Sequence, residues 1–232
     1  MDLSIIIPAL NEEAVIESTI NSYLNFFRKE KIKFELVVIP NNCADNTPAI
    51  VEKLAKKNKE IKYKVIPNKV GKGGAIIEGF KMASGSLIVY VDADNATKPD
   101  AVFSIINNAG NADCVMGSRW LPGSVITKRQ PILRRLASRG FNLLVKSVLG
   151  LNYTDTQAGA KVFKKEAISK ILPEIRNEGW AFDVGVLYLL NKHGFRIKEV
   201  PITWEDNPNS KLSMGRAIPK MLFSLLKIKF RR

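Results

Sequence analysis

Residues 92–95 read Asp-Ala-Asp-Asn and follow directly on the apolar run Leu87–Val91. Two carboxylates at i and i+2 of a continuing strand point to opposite faces. Where the chain turns at a strand end, both can converge on one cation. Hard oxygen ligands of this kind suit Mg2+ or Mn2+, and Mg2+ is commonly shared between a few carboxylates and the phosphates of a substrate. The plainer reading is that Asp92 and Asp94 cap the turn and the helix after it. On these residues alone both readings stand.

The elements that would position the pair follow from periodicity. Short β-branched runs at 3–8, 34–40, 63–67, 86–92 and 113–118 predict strands, and 12–30, 46–58, 73–84 and 99–109 predict helices. Asn11, Asp45 and Asp100 have the chemistry of capping or first-turn residues. Alternation of helices with near-continuous apolar strands predicts a parallel sheet covered on both faces. In such sheets ligands bind outside the carboxyl ends of the strands. That is where "PALNEE", "PNNCADNT" and "DADNATK" fall. After the fourth strand, the aspartate pair becomes the leading site candidate.

Composition narrows the classes. The chain has 232 residues, 46% hydrophobic and 25% charged, which suits one large α/β domain and argues against disorder. Lys and Arg number 36 against 22 Asp and Glu, and the net charge of +14 points to a polyanionic partner: nucleic acid, a phosphate-bearing substrate or an anionic membrane. Cys43 and Cys114 are too few for a disulfide framework and are expected to be reduced thiols. The opening "MDLSIIIPAL" has no basic n-region, and no apolar run approaches the roughly 18 residues of a span, so a soluble or peripheral protein is expected. His193, before Gly194, reads as a residue at a helix C-terminus. There is no internal repeat or low-complexity linker.

The motifs "IIIPALNEE", "VGKGGAIIEGF", "DADNATKPD", "GSRW", "TDTQAGAKVF", "WAFDVGVLYL" and "NSKL" occur in this order. Together they resemble the family 2 glycosyltransferases of the GT-A fold, over about residues 3 to 230. Within that family they are most similar to the dolichyl-phosphate glucosyltransferase and dolichyl-phosphate mannose synthase group. The resemblance implies an α/β, Rossmann-like domain over 1–213 with a central, mostly parallel sheet flanked by helices. A basic amphipathic C-terminal helix over 214–232 would follow. It implies an inverting hexosyltransferase that moves a sugar from a nucleotide-sugar to a dolichyl or polyprenyl monophosphate. UDP-glucose or a related UDP-sugar is the expected donor. "DADNATK" and "WEDNPNSKL" look more like the glucosyl than the mannosyl branch.

Carried onto this chain, the resemblance makes Asp94 the principal ligand of Mg2+ or Mn2+, with Asp92 a ligand or a ribose contact. The cation would meet the developing charge of the leaving diphosphate. Mannose synthases often carry Gln where this chain has Ala96, so water, diphosphate oxygens or Asn95 would complete the shell. Pro8, Ala9, Asn11 and Glu12 would wall the nucleoside. Where many members are acidic, this chain has Pro40 and Asn41, and the Asn41 amide can still pair with uracil. The stretch "KVGKGGA" lacks the ending of a P-loop. Its glycines suit close backbone approach at a helix start, with Lys72 near the diphosphate or the carboxylates; a purely structural loop fits as well. Asp155, Gln157, Trp180 and Asp183 are polar groups set among apolar ones, which suits a sugar pocket. A phosphate acceptor is already anionic and needs no general base, so Asp183 is assigned to positioning. Arg119, Arg134 and Ser138 match the family positions that hold the acceptor phosphate, and Lys211 matches a late basic residue that folds over the diphosphate. Glu205 replaces an arginine that mannose synthases often carry.

The stretches 128–150 and 217–232 are basic and amphipathic. They are expected either to be ordinary core faces or to dock the protein peripherally on an anionic, cytoplasmic membrane face, with Leu222 and Leu225 entering the interface. Four alternatives remain: a family 2 enzyme with a sugar-hydroxyl or other acceptor, in which Asp183 is a base; a mannose synthase using GDP-mannose; a catalytically dead, membrane-associated binding module, against which intact Asp92, Asp94, Arg119 and Arg134 argue; and a nucleic-acid-binding α/β protein. Against the last, no RNA-binding signature appears and aromatics are 8% of the chain.

Overall fold

The structure is a computed structural model that describes residues 2–128, 132–177, 179–205 and 214–230. The side chains of Lys128, Leu133, Arg134, Trp180, Glu205 and residues 214–221 are left out of that description. The first half alternates strand and helix: β1 (Asp2–Ala9), α1 (Ile16–Lys29), β2 (Lys33–Pro40), α2 (Thr47–Lys57), β3 (Ile61–Tyr63), α3 (Gly71–Met82), β4 (Leu87–Tyr90), α4 (Pro99–Asn107) and β5 (Cys114–Ser118). The second half comprises β6 (Val125–Lys128), α5 (Ile132–Leu149), β7 (Lys161–Lys164), α6 (Lys165–Ile171), a 3-10 turn (Gly179–Ala181), α7 (Phe182–Lys192), β8 (Ile197–Pro201), β9 (Thr203–Glu205) and α8 (Met214–Lys229).

Seven strands form one sheet in the order β3-β2-β1-β4-β7-β5-β8, and β6 pairs with β9 in a separate ribbon. The sheet is parallel except for β7, which runs antiparallel to both β4 and β5. Period-two alternation splits the strands between two cores. Ile5, Ile7, Leu36, Val38, Val89 and Val91 pack toward α1, α2 and α4. Ile6, Val37, Ile39, Ile88 and Tyr90 pack on the other face, toward α3, α5, α7 and α8. Burial on both faces explains why these strands read as unbroken apolar runs. Glu35 ties the N-terminal edge together: it accepts from Ser4 Oγ (2.5 Å) and the Ser84 amide (2.7 Å) and pairs with Lys62 (2.6 Å).

The expected α/β sheet is present, with local differences. The first helix begins at Ile16, because Glu12 O accepts from the Val15 and Ile16 amides and closes a turn first. The strand expected at 63–67 is instead Ile61–Tyr63, with Ile66 making a lone bridge to Asn41. α5 and α8 pack together, and α8 buries Leu225 and Ile228 in the core. Leu225, expected at a membrane surface, is 0% exposed. The helical period places it on the inner face beside Ile228, whereas Leu222, Phe223, Leu226 and Phe230 are exposed.

Candidate active site

The polypeptide leaves β4 at Val91, whose amide still donates to Ile6 O (3.0 Å), and then turns. Asn95 adopts a left-handed conformation (φ 57°), which Asn tolerates better than most residues. Asp94 Oδ1 accepts from the Ala96 amide (3.0 Å) and closes this turn. Asp94 thus closes the turn, while α4 begins after Lys98 with no side-chain cap. Asp92 does something else: its Oδ1 faces Lys72 Nζ at 2.5 Å. From below, α1 fastens the loop through Thr19 Oγ1 to Ala93 O (2.7 Å) and Tyr23 OH to Thr97 O (2.6 Å).

Lys72 reaches Asp92 because α3 starts on glycines. A Cβ on Gly73 would lie 2.6 Å from Asn177 Oδ1 and 2.7 Å from the Phe182 ring. Asn177 in turn donates to Val70 O. The glycines thus serve close packing at a helix start, as the sequence suggests, and Lys72 follows onto the carboxylates. Desolvation would lower the Lys72 pKa, but the charges of Asp92, Asp183 and Asp94 outweigh it and raise it. Gly159 presses on Asp92 from the other side: a Cβ there would stand 2.9 Å from Asp92 Oδ2.

Asp183, in the first turn of α7, takes hydrogen bonds on one oxygen, Oδ1, from Lys161 Nζ (2.6 Å) and Tyr90 OH. Burial alone would raise the Asp183 carboxyl; the Lys161 and Lys72 charges and these two bonds hold it below the usual range. Burial, reinforced by Asp183, pushes the Tyr90 hydroxyl well up. Sequence reasoning did not single out Lys161, Tyr90 or Gly159. A lysine inside the strand-like "AKVF" was the one available signal.

Beside this cluster lie the ends of β1 and β2. Pro8 and Ala9 close β1, and Asn11 (φ 55°) accepts from the Ala44 amide (2.7 Å). The Glu12 amide donates to Thr47 Oγ1 (2.8 Å). Asn41, 2% exposed, donates from Nδ2 to Ala9 O (3.0 Å), while its buried Oδ1 has no hydrogen-bond partner among the described residues. An orphaned buried acceptor is costly and asks for a donor.

At the end of β5, the Arg119 guanidinium grips Asp155 through Nε (2.8 Å) and Nη2 (2.9 Å), and the Arg119 amide adds a third bond (3.0 Å). Trp204 lies under the guanidinium at 5.1 Å. Asp155 is thus committed to Arg119 rather than open to a sugar. The loop carrying Asp155 is held by Glu199, which accepts from the Thr154 and Asp155 amides. The half-buried Gln157 sits on that loop, two residues before Gly159. Ser138 is half-buried on α5, and near it Arg135 and Arg139 stack on Trp120 at 5.7 and 5.1 Å. The Arg134 and Trp180 side chains and all of Lys211 lie outside the described residues.

The sheet, its topology and carboxylates at the carboxyl end of β4 define a GT-A-like glycosyltransferase architecture. The sequence profile for "Glycosyl transferase family 2" matches residues 4–172, and the chain belongs to that family. It is 30% identical over 231 residues to glycosyltransferase AglD of Haloferax volcanii, covering 98% of this chain and 37% of AglD. It is also 30% identical over 243 residues to a dolichyl-phosphate beta-glucosyltransferase of Dictyostelium discoideum, covering 99% and 74%. The chain thus spans well under half of AglD. In three dimensions it is similar to glucosyl-3-phosphoglycerate synthase of Mycobacterium tuberculosis, with a TM-score of 0.73 at 20% identity, covering 98% of this chain and 80% of that one. Mannosyl-3-phosphoglycerate synthase of Rubrobacter xylanophilus superposes with a TM-score of 0.68 at 15% identity, covering 100% and 74%. The mycobacterial enzyme has been solved with Mn2+ and UDP, and with Mg2+ and UDP.

Proposed function

We propose that this glycosyltransferase moves glucose, or a related sugar, from a UDP-sugar to a polyprenyl (dolichyl) monophosphate with inversion at the anomeric carbon, at the cytoplasmic face of an anionic membrane. The observation that carries the reading is the convergence of Asp92, Lys72 and Asp183 at the carboxyl end of β4, beside the β1–β2 cleft. It is supported by relatives named dolichyl-phosphate beta-glucosyltransferase and by the UDP complexes of the structurally similar mycobacterial enzyme.

In this reading Pro8, Ala9, Asn11 and Glu12 enclose the nucleoside. The orphaned Oδ1 of Asn41 accepts the imide N–H of uracil. Among the described residues no group of three or more His, Cys, Asp or Glu could hold a metal by itself. Two adjacent carboxylates do fit Mg2+ or Mn2+ shared with a diphosphate and water, so Asp92 and Asp94 would hold it. Bound there, the ion would offset the charge that builds on the leaving diphosphate. Lys72, already drawn into the cleft by carboxylates, supplies a further positive charge for the diphosphate, and Gln157 flanks the sugar. Lys211 closes over the diphosphate. Arg119, Arg134 and Ser138 receive the acceptor phosphate, with Asp155 fixing the Arg119 fork.

A carboxylate held ionised as Asp183 is makes a weak proton acceptor. That favours an acceptor already anionic over a sugar hydroxyl needing a base.

The membrane part rests on α5 and α8. Of twelve large hydrophobic side chains exposed among the described residues, eight belong to these helices or their ends: Ile132, Leu136, Leu143, Leu144, Leu222, Phe223, Leu226 and Phe230. Neither helix contains an acidic residue, which suits anionic headgroups. No helix among the described residues is long and apolar enough to cross a membrane.

A grid of UDP- and GDP-sugars against short-chain polyprenyl phosphates, polyprenols and free sugars tests the reading. Turnover confined to UDP-sugars with lipid phosphates is expected. Preference for GDP-mannose or for hydroxyl acceptors would replace it with one of the alternatives.

A further inference from the structure

Lys161 lies in the middle of the sheet, opposite Tyr90 of β4 and Met116 of β5. Its side chain is 0% exposed. Taking an ammonium out of water costs several kcal/mol, and an apolar residue of the same volume is often as stable or more so in such a place. Packing therefore does not explain a lysine here. Its contacts do. Nζ donates to Ala158 O (2.8 Å) and to Asp183 Oδ1 (2.6 Å), and it lies 5.7 Å from the centre of the Tyr90 ring.

Asp183 receives Lys161 and Tyr90 on the same oxygen, and Oδ2 takes no hydrogen bond from the described residues. The side chain keeps 15% exposure. Its surroundings come from three elements: Lys161 from β7, Tyr90 from β4, and the Lys72 charge from α3 with Asp92 beyond it. The amide-rich first turn of α7 adds its dipole. One oxygen is thus pinned from inside the protein, and the other is left without a hydrogen bond from the described residues.

We propose that Lys161, seconded by Tyr90, is a positioning residue: it fixes Asp183 as an acceptor whose second oxygen orients a hydroxyl of the donor sugar. This rests on the reading of the cleft as a UDP-sugar site. Lys161 touches no substrate and acts through Asp183. Such a fixed acceptor loses less entropy on binding than a free side chain and discriminates against a sugar lacking the hydroxyl, because the carboxylate is then left unpaired.

The test has two arms. In the first, carbon NMR follows the Asp183 carboxyl against pH, assigned with Asp183→Asn, in wild type, Lys161→Met and Tyr90→Phe. The midpoint should rise by about one pH unit or more in Lys161→Met and by less in Tyr90→Phe. In the second arm, kcat/KM is measured with UDP-glucose and its monodeoxy analogues. Wild type should lose about tenfold or more on one analogue. Lys161→Met should lose a comparable factor on UDP-glucose and little further on that analogue, with UDP affinity unchanged. An unmoved Asp183 midpoint, or an equal loss on every donor, overturns the proposal. If Lys161→Met does not fold, Tyr90→Phe decides by the same criteria, and a variant identical to wild type in both arms refutes it. A wild type inert toward UDP-glucose would sink the donor assignment, while the NMR arm still decides whether Lys161 governs Asp183.

Discussion

Asp94 has a structural role that can be separated from the chemical one proposed for it. Its Oδ1 closes the turn on the Ala96 amide, and an asparagine Oδ1 does the same, while the charge is lost. Asp94→Asn should therefore keep its melting temperature yet lose about 100-fold or more in turnover, about 2.7 kcal/mol in the barrier; transfer assays and calorimetry check both halves. Full activity would leave the residue with its turn alone. Arg119 behaves differently. Its guanidinium is bound to a carboxylate that is 3% exposed, so Arg119→Ala leaves Asp155 buried without its charge partner, holding only the residue-119 amide. Urea denaturation should show about 3 kcal/mol of destabilisation, alongside any loss of acceptor binding. The sequence announced both residues by motif but not Asp155 as the partner, since that pairing depends on how the loop before β7 folds back.

Among the elements, strands were legible where both faces are apolar, as in β1, β2 and β4. β7 was not, because its "KVFK" carries lysines and its antiparallel entry between β4 and β5 is a tertiary event. That insertion is what brings Lys161 to Asp183. The start of α3 was legible from its glycines, and its packing gives a second test. Gly73→Ala would drive a methyl into Asn177 and Phe182. We expect about 1–3 kcal/mol of destabilisation and loss of UDP-sugar affinity as Lys72 shifts, read by denaturation and calorimetry. The β1–β2–β3 edge depends on Glu35. Burial opposes its charge, but Lys62, Ser4 and Ser84 win and hold its pKa at about 2 against an ordinary 4.5. With the folded value depressed, its contribution is complete above the unfolded value and vanishes as pH falls through about 2. Wild type should lose about 3 kcal/mol more than Glu35→Gln across that window, measured by urea unfolding at stepped pH.

For the whole molecule, the proposed membrane docking would draw on a net charge of +14 for long-range attraction and on two acid-free helices with outward apolar side chains for shallow insertion. Co-sedimentation with anionic vesicles should weaken with salt and fall in Phe223→Ser, where the ring is 61% exposed. Leu225→Ser should instead destabilise the fold. Equal recovery of wild type and Phe223→Ser would make the exposed face irrelevant to lipid. The central claim is the transfer itself. The most direct measurement incubates the protein with UDP-glucose and Mg2+ and offers a short polyprenyl phosphate or the corresponding polyprenol. The account predicts a β-linked glucosyl lipid phosphate from the first and no product from the second. Equal use of the polyprenol, or transfer to sugar hydroxyls in place of the lipid phosphate, would contradict it.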